Sequence, residues 1–279
     1  MKRKIVVDSA ANMRALAGVD FVSVPLVIRT ADKEYVDDAN LDVLDMAETL
    51  STYKGKSGTA CPGVGDYLEA FGDADEVFCV TIISTLSGSY NSAMTAASQY
   101  MEENPGKKVY VLDSYSAGPE MKLLVEKILE GIKAEKDFET ICKETNRYKE
   151  NHTALLFCLE NMRNLANNGR VKPAVAAIAG LLGIRAVGDV SVDGQIHPVE
   201  KCRGEKKAIS SICKIMKQMG YRGGQVIVDH CNNFKAARAL KEAIVAEYKE
   251  AKVRIEMTTG LCSFYAEKGG LMIGFVRNK

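Results

Sequence analysis

The sequence predicts an α/β protein of two domains, and three observations lead to this fold class. Short runs rich in Val and Ile alternate with longer stretches of helical period, the pattern of βαβ units around a mainly parallel sheet. The chain has 279 residues, and single hydrophobic cores stop growing at roughly 250–300 residues. Hydrophobic residues make up 47% of the chain but Trp is absent, so the core is expected to be mostly aliphatic.

The first half is predicted to form one sheet with connecting helices. Strands are predicted where apolar runs are bounded by Asp, Gly or Ser, at 4–8, 22–28, 77–83 and 109–112. Helices are predicted over 64–71, over 88–101, from Pro119 onward and over 138–148. The last of these is charged and connects the halves, so we place the domain boundary at about residue 150, with an N-terminal domain over 1–150.

The second half is predicted to form a further α/β domain over 151–279. It begins with an apolar run and continues into a segment rich in small residues, 174–182, which is expected to be a helix. Further strands are predicted at 184–192, 195–200, 225–229, 254–258 and 271–276. Two helices are predicted between them, over 206–219 and 233–248.

Composition and missing motifs exclude several functions. Lys plus Arg total 37 and Asp plus Glu 36, so a net charge of +1 gives no electrostatic reason to expect a nucleic-acid partner. No apolar run is long enough to span a membrane, and no secretory signal is recognisable, so we expect a cytoplasmic protein with no integral membrane segment. Eight cysteines occur without a C-x-x-C pair, and neither G-x-G-x-x-G nor a P-loop is present. We therefore expect no metal and no cofactor.

Two turns rich in hydroxyl groups are the most informative local feature. One runs over 81–93 from a predicted strand into a predicted helix and includes Ser87, Gly88 and Ser89. Free backbone N–H groups at such a helix start favour an anion, although capping by Ser87 or Ser89 alone would also explain the sequence. The second turn contains Thr59 and precedes the helix predicted over 64–71. The two turns could converge on one buried carboxylate, because each hydroxyl and amide supplies a hydrogen bond.

Two alternatives to a binding protein remain open from the residues alone. An enzyme, a kinase or a hydrolase, could act at the Ser87 turn with His230 as base, although Leu86 precedes this turn and the sequence is not G-x-S-x-G. His230 directly follows Asp229 on a predicted strand, where neighbouring side chains point to opposite faces, and this favours a structural His. A lipid-free interaction module is the third hypothesis, and it would require a large exposed apolar patch.

An ordered set of motifs resembles the DegV family, whose characterised members bind fatty acids. The most specific of these motifs is Leu-Ser-Gly-Ser-Tyr at 86–90. The others, in chain order, are Val-Val-Asp-Ser at 6–9, Val-Pro-Leu at 24–26, Tyr-Val-Asp at 35–37, the Thr59 turn, Val-Leu-Asp-Ser at 111–114 and Leu-Ala-Asn-Asn-Gly-Arg-Val at 165–171. The resemblance therefore extends over most of the chain.

The resemblance implies a fold and a ligand. It implies an N-terminal α/β/α domain with a parallel sheet and a C-terminal α/β domain with a mixed sheet, which hold a long-chain fatty acid between them. By motif position, Thr59, Ser87 and the Gly88 amide would bind the carboxylate, and the segment 174–182 could border the acyl tunnel.

The resemblance also implies a partner, a separate ATP-binding kinase subunit to which this chain would present the fatty acid. Arg170 and Arg203 match family arginines near the head-group opening. The chain departs from the family at Thr258, where several members have a His that contacts the ligand, so Thr258 would replace at most one hydrogen bond.

Overall fold

The computed structural model describes residues 1–177, 183–190 and 195–278. The strands in these ranges are β1 (Arg3–Asp8), β2 (Asp20–Val24), β3 (Val27–Arg29), β4 (Glu34–Val36), β5 (Gly58–Ala60), β6 (Glu76–Thr81), β7 (Lys108–Asp113), β8 (Thr153–Leu159), β9 (Ile184–Val190), β10 (Ile196–Arg203), β11 (Gln225–His230), β12 (Lys252–Met257) and β13 (Leu271–Val276). The helices are α1 (Val43–Thr52), α2 (Val64–Phe71), α3 (Ser89–Glu103), α4 (Pro119–Lys133), α5 (Phe138–His152), α6 (Arg163–Asn167), α7 (Pro173–Ala176), α8 (Glu205–Gln218), α9 (Phe234–Glu247) and α10 (Gly260–Ala266), and a 3-10 turn over Ser9–Ala11 follows β1.

Three sheets organise the chain, and together they confirm the predicted α/β class. The first is parallel, with the strand order β2-β1-β6-β7. The second is mixed, with the order β10-β9-β8-β13-β11-β12, and the third is a small antiparallel sheet, β4-β3-β5. The N-terminal domain contains the first and third sheets, and the C-terminal domain contains the second.

Helices cover both faces of the parallel sheet, as an α/β/α domain requires. On one face α2 and α3 bury an aromatic and alanine cluster that includes Tyr67, Phe71 and Ala93. On the other face α4 and α5 pack an aliphatic cluster that includes Leu124 and Ile128. β6 is buried along its whole length, which explains why its sequence is a continuous apolar run rather than an alternating one.

The mixed sheet is also covered on both faces, but one cover comes from the other domain. Helices α8 and α9 pack on its outer face around residues such as Ile212 and Leu240. The inner face receives α4, whose backbone at Pro119 lies so close to Gly274 that a Cβ on Gly274 would be 2.5 Å from the Pro119 carbonyl carbon. The small residue at 274 therefore allows the two domains to pack closely.

A buried polar bridge also joins the domains. Lys122 of α4 donates to Asp229 of β11 at 2.8 Å and to Glu256 of β12 at 2.6 Å. Asn12, which follows the 3-10 turn, donates to the other oxygen of Asp229 at 2.7 Å. Lys122 and Asp229 are almost fully buried, so each charge is compensated by the other rather than by water.

The predicted strand over 22–28 was wrong, because the structure has two strands there in different sheets. Pro25 separates β2, which pairs with β1, from β3, which pairs with β4 and β5. Proline has no N–H for a ladder hydrogen bond, so a strand that includes it internally is disfavoured.

The other predicted strands and helices are found within a few residues of their predicted bounds. Of the helix predicted over 174–182, α7 accounts for the first residues and 178–182 lie outside the described residues. Residues 191 and 192 of a predicted strand also lie outside them. The boundary at about residue 150 remains a prediction, and α5 passes across that position.

Candidate functional site

The candidate site lies at the carboxyl edge of the parallel sheet. The chain leaves β1 toward β2 on one side and leaves β6 toward β7 on the other, so the topology reverses between β1 and β6. Ligands of open α/β sheets bind at such reversal points, beyond the carboxyl ends of the strands. Asp8 ends β1 there, and the loop that carries Ser87 follows β6.

A buried network fixes the loop between β6 and α3. Asp8 accepts the backbone N–H of Ile82 at 2.9 Å and the Ser89 hydroxyl at 2.5 Å through one carboxylate oxygen. Because Ser89 donates to Asp8, the Tyr67 hydroxyl must donate to Ser89, at 2.6 Å. The Ser89 N–H in turn donates to the Ser87 hydroxyl oxygen at 3.3 Å. Both ends of the loop are thus held, and Ser87 is placed at the edge of the sheet.

Asp8 is fully buried, and this burial raises its pKa from 3.8 to about 7, against the opposing effect of the Ser89 hydrogen bond. The folded protein therefore binds a proton at Asp8 more tightly than the unfolded chain. The stability gained from this proton is fully present below pH about 4 and is lost as the pH rises through about 7.

Asp8→Asn removes this titration, so wild-type stability relative to the variant should fall between about pH 5 and about pH 8. The expected slope is up to about 1.4 kcal/mol per pH unit between the two pKa values. Urea unfolding under reducing conditions measures it, with the exposed Asp32→Asn as a control that should show no such change. An equal stability difference between wild type and Asp8→Asn at both pH values would contradict the assignment.

Thr59 reaches the same region from a different element than predicted. It lies in the short strand β5, paired opposite Ile28 of β3, rather than in a turn. Its hydroxyl lies 2.8 Å from the Tyr265 hydroxyl of α10. The third sheet therefore brings Thr59 of the N-terminal domain against a helix of the C-terminal domain.

An apolar cavity extends from these hydroxyl groups between the two domains. Thr59 and Ser87 both line it, as do Arg170 and Tyr265. The space free of protein atoms is about 810 Å³ when the open solvent at the cavity mouth is included. Most of the lining is aliphatic: Leu26, Ile82, Ile83, Leu86, Leu155, Leu159, Leu165, Val190, Ile196, Leu261 and Met272.

Strand β8 shows why one wall of the cavity is apolar. Leu155, Phe157 and Leu159 alternate along the strand and line the cavity. Leu156 and Cys158, between them, point into the core beneath α8 and α9. A run that is apolar at every position can therefore serve a core and a cavity at once.

Helix α10, which lines another wall, is fixed at its start by Asp37. This buried carboxylate accepts the backbone N–H groups of Gly260 at 2.8 Å and Leu261 at 2.9 Å, and Arg14 donates to it at 2.8 Å. A carboxylate at a helix start satisfies free donors and complements the helix dipole. A Cβ on Gly260 would lie 2.8 Å from Asp37 Oδ1, so the contact depends on glycine.

The other residues that were predicted to contact the head group differ in whether they line the cavity. Arg170 lines the cavity and donates to the Leu86 carbonyl at 3.1 Å, beside the Ser87 turn. Gly88 is the exposed N-cap residue directly before α3, next to Ser87, and is not itself among the described residues that line the cavity. Thr258 is buried in hydrogen bonds with Ser263 and the His230 carbonyl, and Arg203 is exposed at the end of β10. The structure thus brings Thr59, Ser87 and Arg170 together, but neither Thr258 nor Arg203 is among the described lining residues.

His230, the base in the enzyme hypothesis, is also not among the described residues that line the cavity with Ser87. Its Nδ1 accepts the Asn233 N–H at 3.2 Å, and its ring packs edge-on against Phe234 at 5.8 Å. Burial lowers the pKa of this imidazole. Within the described ranges, no group of three or more His, Cys, Asp or Glu side chains could hold a metal ion. No helix of the described residues is long and apolar enough to cross a membrane.

Sequence reasoning missed Tyr265 and Asp37. Tyr265 lies in a seven-residue helix that was not predicted, and 206 residues separate it from its partner Thr59. Tyr35-Val36-Asp37 was noted only as a motif. Asp37 is directly followed by Asp38 and closely preceded by Glu34, so no signal in the sequence singles it out.

The match to known proteins covers almost the whole chain. A family model described as "Uncharacterised protein, DegV family" matches residues 2–278. The chain belongs to the DegV family. A DegV domain-containing protein of Streptococcus pneumoniae is 42% identical over 279 residues, which is 99% of each chain. One from Streptococcus gordonii is 39% identical with the same coverage.

Two solved DegV-family structures are similar along their full length. The Streptococcus pneumoniae Fatty Acid Kinase (Fak) B3 protein loaded with linoleic acid is 42% identical, has a TM-score of 0.97 and is covered completely, as is this chain. A DegV family protein from Eubacterium eligens loaded with heptadecanoic acid is 40% identical with a TM-score of 0.96, covering 99% of this chain and 100% of that one. Both belong with this chain in fold and family.

Proposed function

We propose that this protein binds one long-chain fatty acid between its two domains. The carboxylate is held by the hydroxyls of Thr59 and Ser87 and the Gly88 amide, and the acyl chain lies in the apolar cavity. The observation that carries the proposal is that Thr59 and Ser87 line one mostly aliphatic cavity. Two relatives with about 40% identity, loaded with linoleic and heptadecanoic acid, support the ligand class.

The chemistry of the cavity fits an ionised acid with a long tail. Each buried methylene contributes about 0.8 kcal/mol, so affinity comes mainly from the tail. A carboxylate removed from water needs several donors, and hydroxyls with a helix-start amide supply them. Arg170 in the wall adds a positive charge near the same end.

We further propose that the protein is a binding subunit that does not itself catalyse a reaction. The protein would present the carboxylate to a separate ATP-binding kinase subunit, in the cytoplasm. The support is the similarity to a Fatty Acid Kinase (Fak) B3 protein. All eight cysteines are free, as a reducing compartment would leave them. Thr258, Arg170 and Arg203 remain our proposed additional contacts of the head group.

Affinity should rise steeply with chain length, because the cavity is apolar. After removal of lipid, the Kd of palmitate, measured by displacement of a fluorescent fatty acid, should be at least about a thousandfold lower than that of octanoate. The reason is that the eight extra methylenes each contribute about 0.8 kcal/mol. Mass spectrometry of extracts from the purified protein should recover a long-chain fatty acid.

The function is wrong if no lipid is recovered and no long-chain acid binds saturably. ATP or ester turnover by the isolated chain at a rate above that of a Ser87→Ala variant would instead support the enzyme hypothesis. Equal affinity for palmitate and octanoate would place the acyl chain outside the cavity.

A further inference from the structure

The Thr59 hydroxyl is hydrogen bonded to another side chain of the protein. Its oxygen lies 2.8 Å from the Tyr265 hydroxyl, and both side chains line the cavity. Thr59 belongs to the N-terminal domain and Tyr265 to the C-terminal one, so this bond closes the cavity wall across the domain boundary.

The Tyr265 ring is held on several sides. It packs edge-on against Phe264 with ring centroids 4.9 Å apart. It also packs against three apolar clusters, which are centred on the parallel sheet, on β8 with α6, and on α1 with β3. Because Asp37 fixes the start of α10, the helix that carries the ring is fixed too. The phenol oxygen is therefore positioned by packing rather than by the ligand.

The chemistry of the two hydroxyls assigns a direction to their bond. A phenol is the more acidic of the two and hence the better donor, while an aliphatic hydroxyl oxygen is the better acceptor. Burial raises the pKa of Tyr265 above its usual value of 10, so the phenol keeps its proton at neutral pH. When Tyr265 donates to Thr59, the Thr59 proton is directed away from Tyr265. An ionised carboxylate only accepts hydrogen bonds, so it is the partner that this proton needs.

We propose that Tyr265 is a positioning residue that sets Thr59 as a hydrogen-bond donor and so makes the site selective for an ionised acid over a neutral lipid of the same length. This inference rests on the proposed fatty acid site. A fatty alcohol gains little from a donor fixed in this way, because its own hydroxyl must both donate and accept to be satisfied.

The test compares palmitate and 1-hexadecanol on wild type, Tyr265→Phe, Thr59→Val and the double variant, each freed of lipid. Tyr265→Phe should weaken palmitate about tenfold, the scale of one hydrogen bond to a charged system. The affinity of Tyr265→Phe for 1-hexadecanol should stay within about twofold of that of the wild type. In the double variant, Tyr265→Phe should add no further loss to that of Thr59→Val, since Tyr265 acts through Thr59.

A control variant separates the hydroxyl from general effects of losing a Tyr oxygen. Tyr53 packs against the α1 and β3 cluster, and its hydroxyl accepts the Ala31 N–H at 3.1 Å outside the cavity. Tyr53→Phe should change the affinity for neither palmitate nor 1-hexadecanol.

Each other result overturns the inference in a different way. Equal weakening of palmitate and 1-hexadecanol by Tyr265→Phe would show a packing role. Additive losses in the double variant would show that Tyr265 acts independently of Thr59. Palmitate binding to Tyr265→Phe as tight as to wild type overturns the inference alone, whereas a wild type that binds no long-chain acid overturns the proposed function with it.

Discussion

Removal of the Thr59 and Ser87 hydroxyls together is expected to lower palmitate affinity by about two to four orders of magnitude. A hydrogen bond to a charged group is worth about 1.5–3 kcal/mol, and the variant Thr59→Val/Ser87→Ala removes two of them from a carboxylate that cannot return to water. Both side chains are only partly buried and line a cavity, so little of the core depends on them. The free energy of unfolding of the protein freed of lipid should therefore change by less than about 1 kcal/mol.

Displacement titration and urea unfolding on the same preparations measure the two quantities. The matched control is Thr95→Val/Ser98→Ala, which removes two hydroxyls from the exposed face of α3. It should leave both affinity and stability unchanged. Retained palmitate affinity in the Thr59 and Ser87 variant, or an equal loss in the control, would show that the carboxylate binds elsewhere.

The location of Ser87 could be predicted from the sequence because it depends on local rules. An apolar run at 77–83 followed by a hydroxyl-rich turn and a helix is the pattern of a strand that ends at the carboxyl edge of a parallel sheet. The predicted bounds of α2 agree with the structure for the same kind of reason, since Pro62 lies near the first turn of the helix.

The partnership of Thr59 with Tyr265 could not be predicted, because it depends on packing between distant elements. β3, β4 and β5 have three residues each, too few for a periodic signal, and the apolar run over 22–28 conceals the break between β2 and β3 that Pro25 marks. Helix α10 has seven residues, and its position follows from contacts with Asp37, more than 200 positions earlier. Such contacts carry no signature in a single sequence, so the Tyr265 side of the proposed carboxylate site is found only in three dimensions.

The cavity lies between the two domains, and the buried bridge at Lys122 joins these domains. Loss of this bridge should therefore lower the free energy of unfolding by a large amount. Lys122→Met leaves Asp229 buried with only Asn12 as a donor. Breaking a buried ion pair by removing one partner destabilises by about 3–5 kcal/mol, because the remaining charge is uncompensated. Met has a similar length and no charge, so the loss should not reflect a large cavity.

The same charge argument fixes the pH dependence of this loss. Burial already raises the pKa of Asp229 to about 6, while Lys122 opposes the shift. Without Lys122 that pKa rises further, so the carboxyl is protonated in the folded variant over a wider range of pH. Stability gained from a raised pKa is present at low pH and lost as the pH rises. The loss measured by urea unfolding should therefore be larger at about pH 8 than at about pH 5.

Lys127→Met on the same helix is the matched control, because Lys127 is partly exposed and contacts Glu130 at 3.2 Å and the Tyr148 ring at 5.8 Å, with no buried carboxylate as partner in these contacts. Lys127→Met should change the free energy of unfolding by no more than about 0.5 kcal/mol. The double variant Lys122→Met/Asp229→Asn removes the stranded charge and should recover part of the stability, which a simple packing defect would not allow. If Lys122→Met were no more destabilising than Lys127→Met at either pH, the bridge would contribute little to stability, and the two domains would be held together mainly by the apolar contacts of α4.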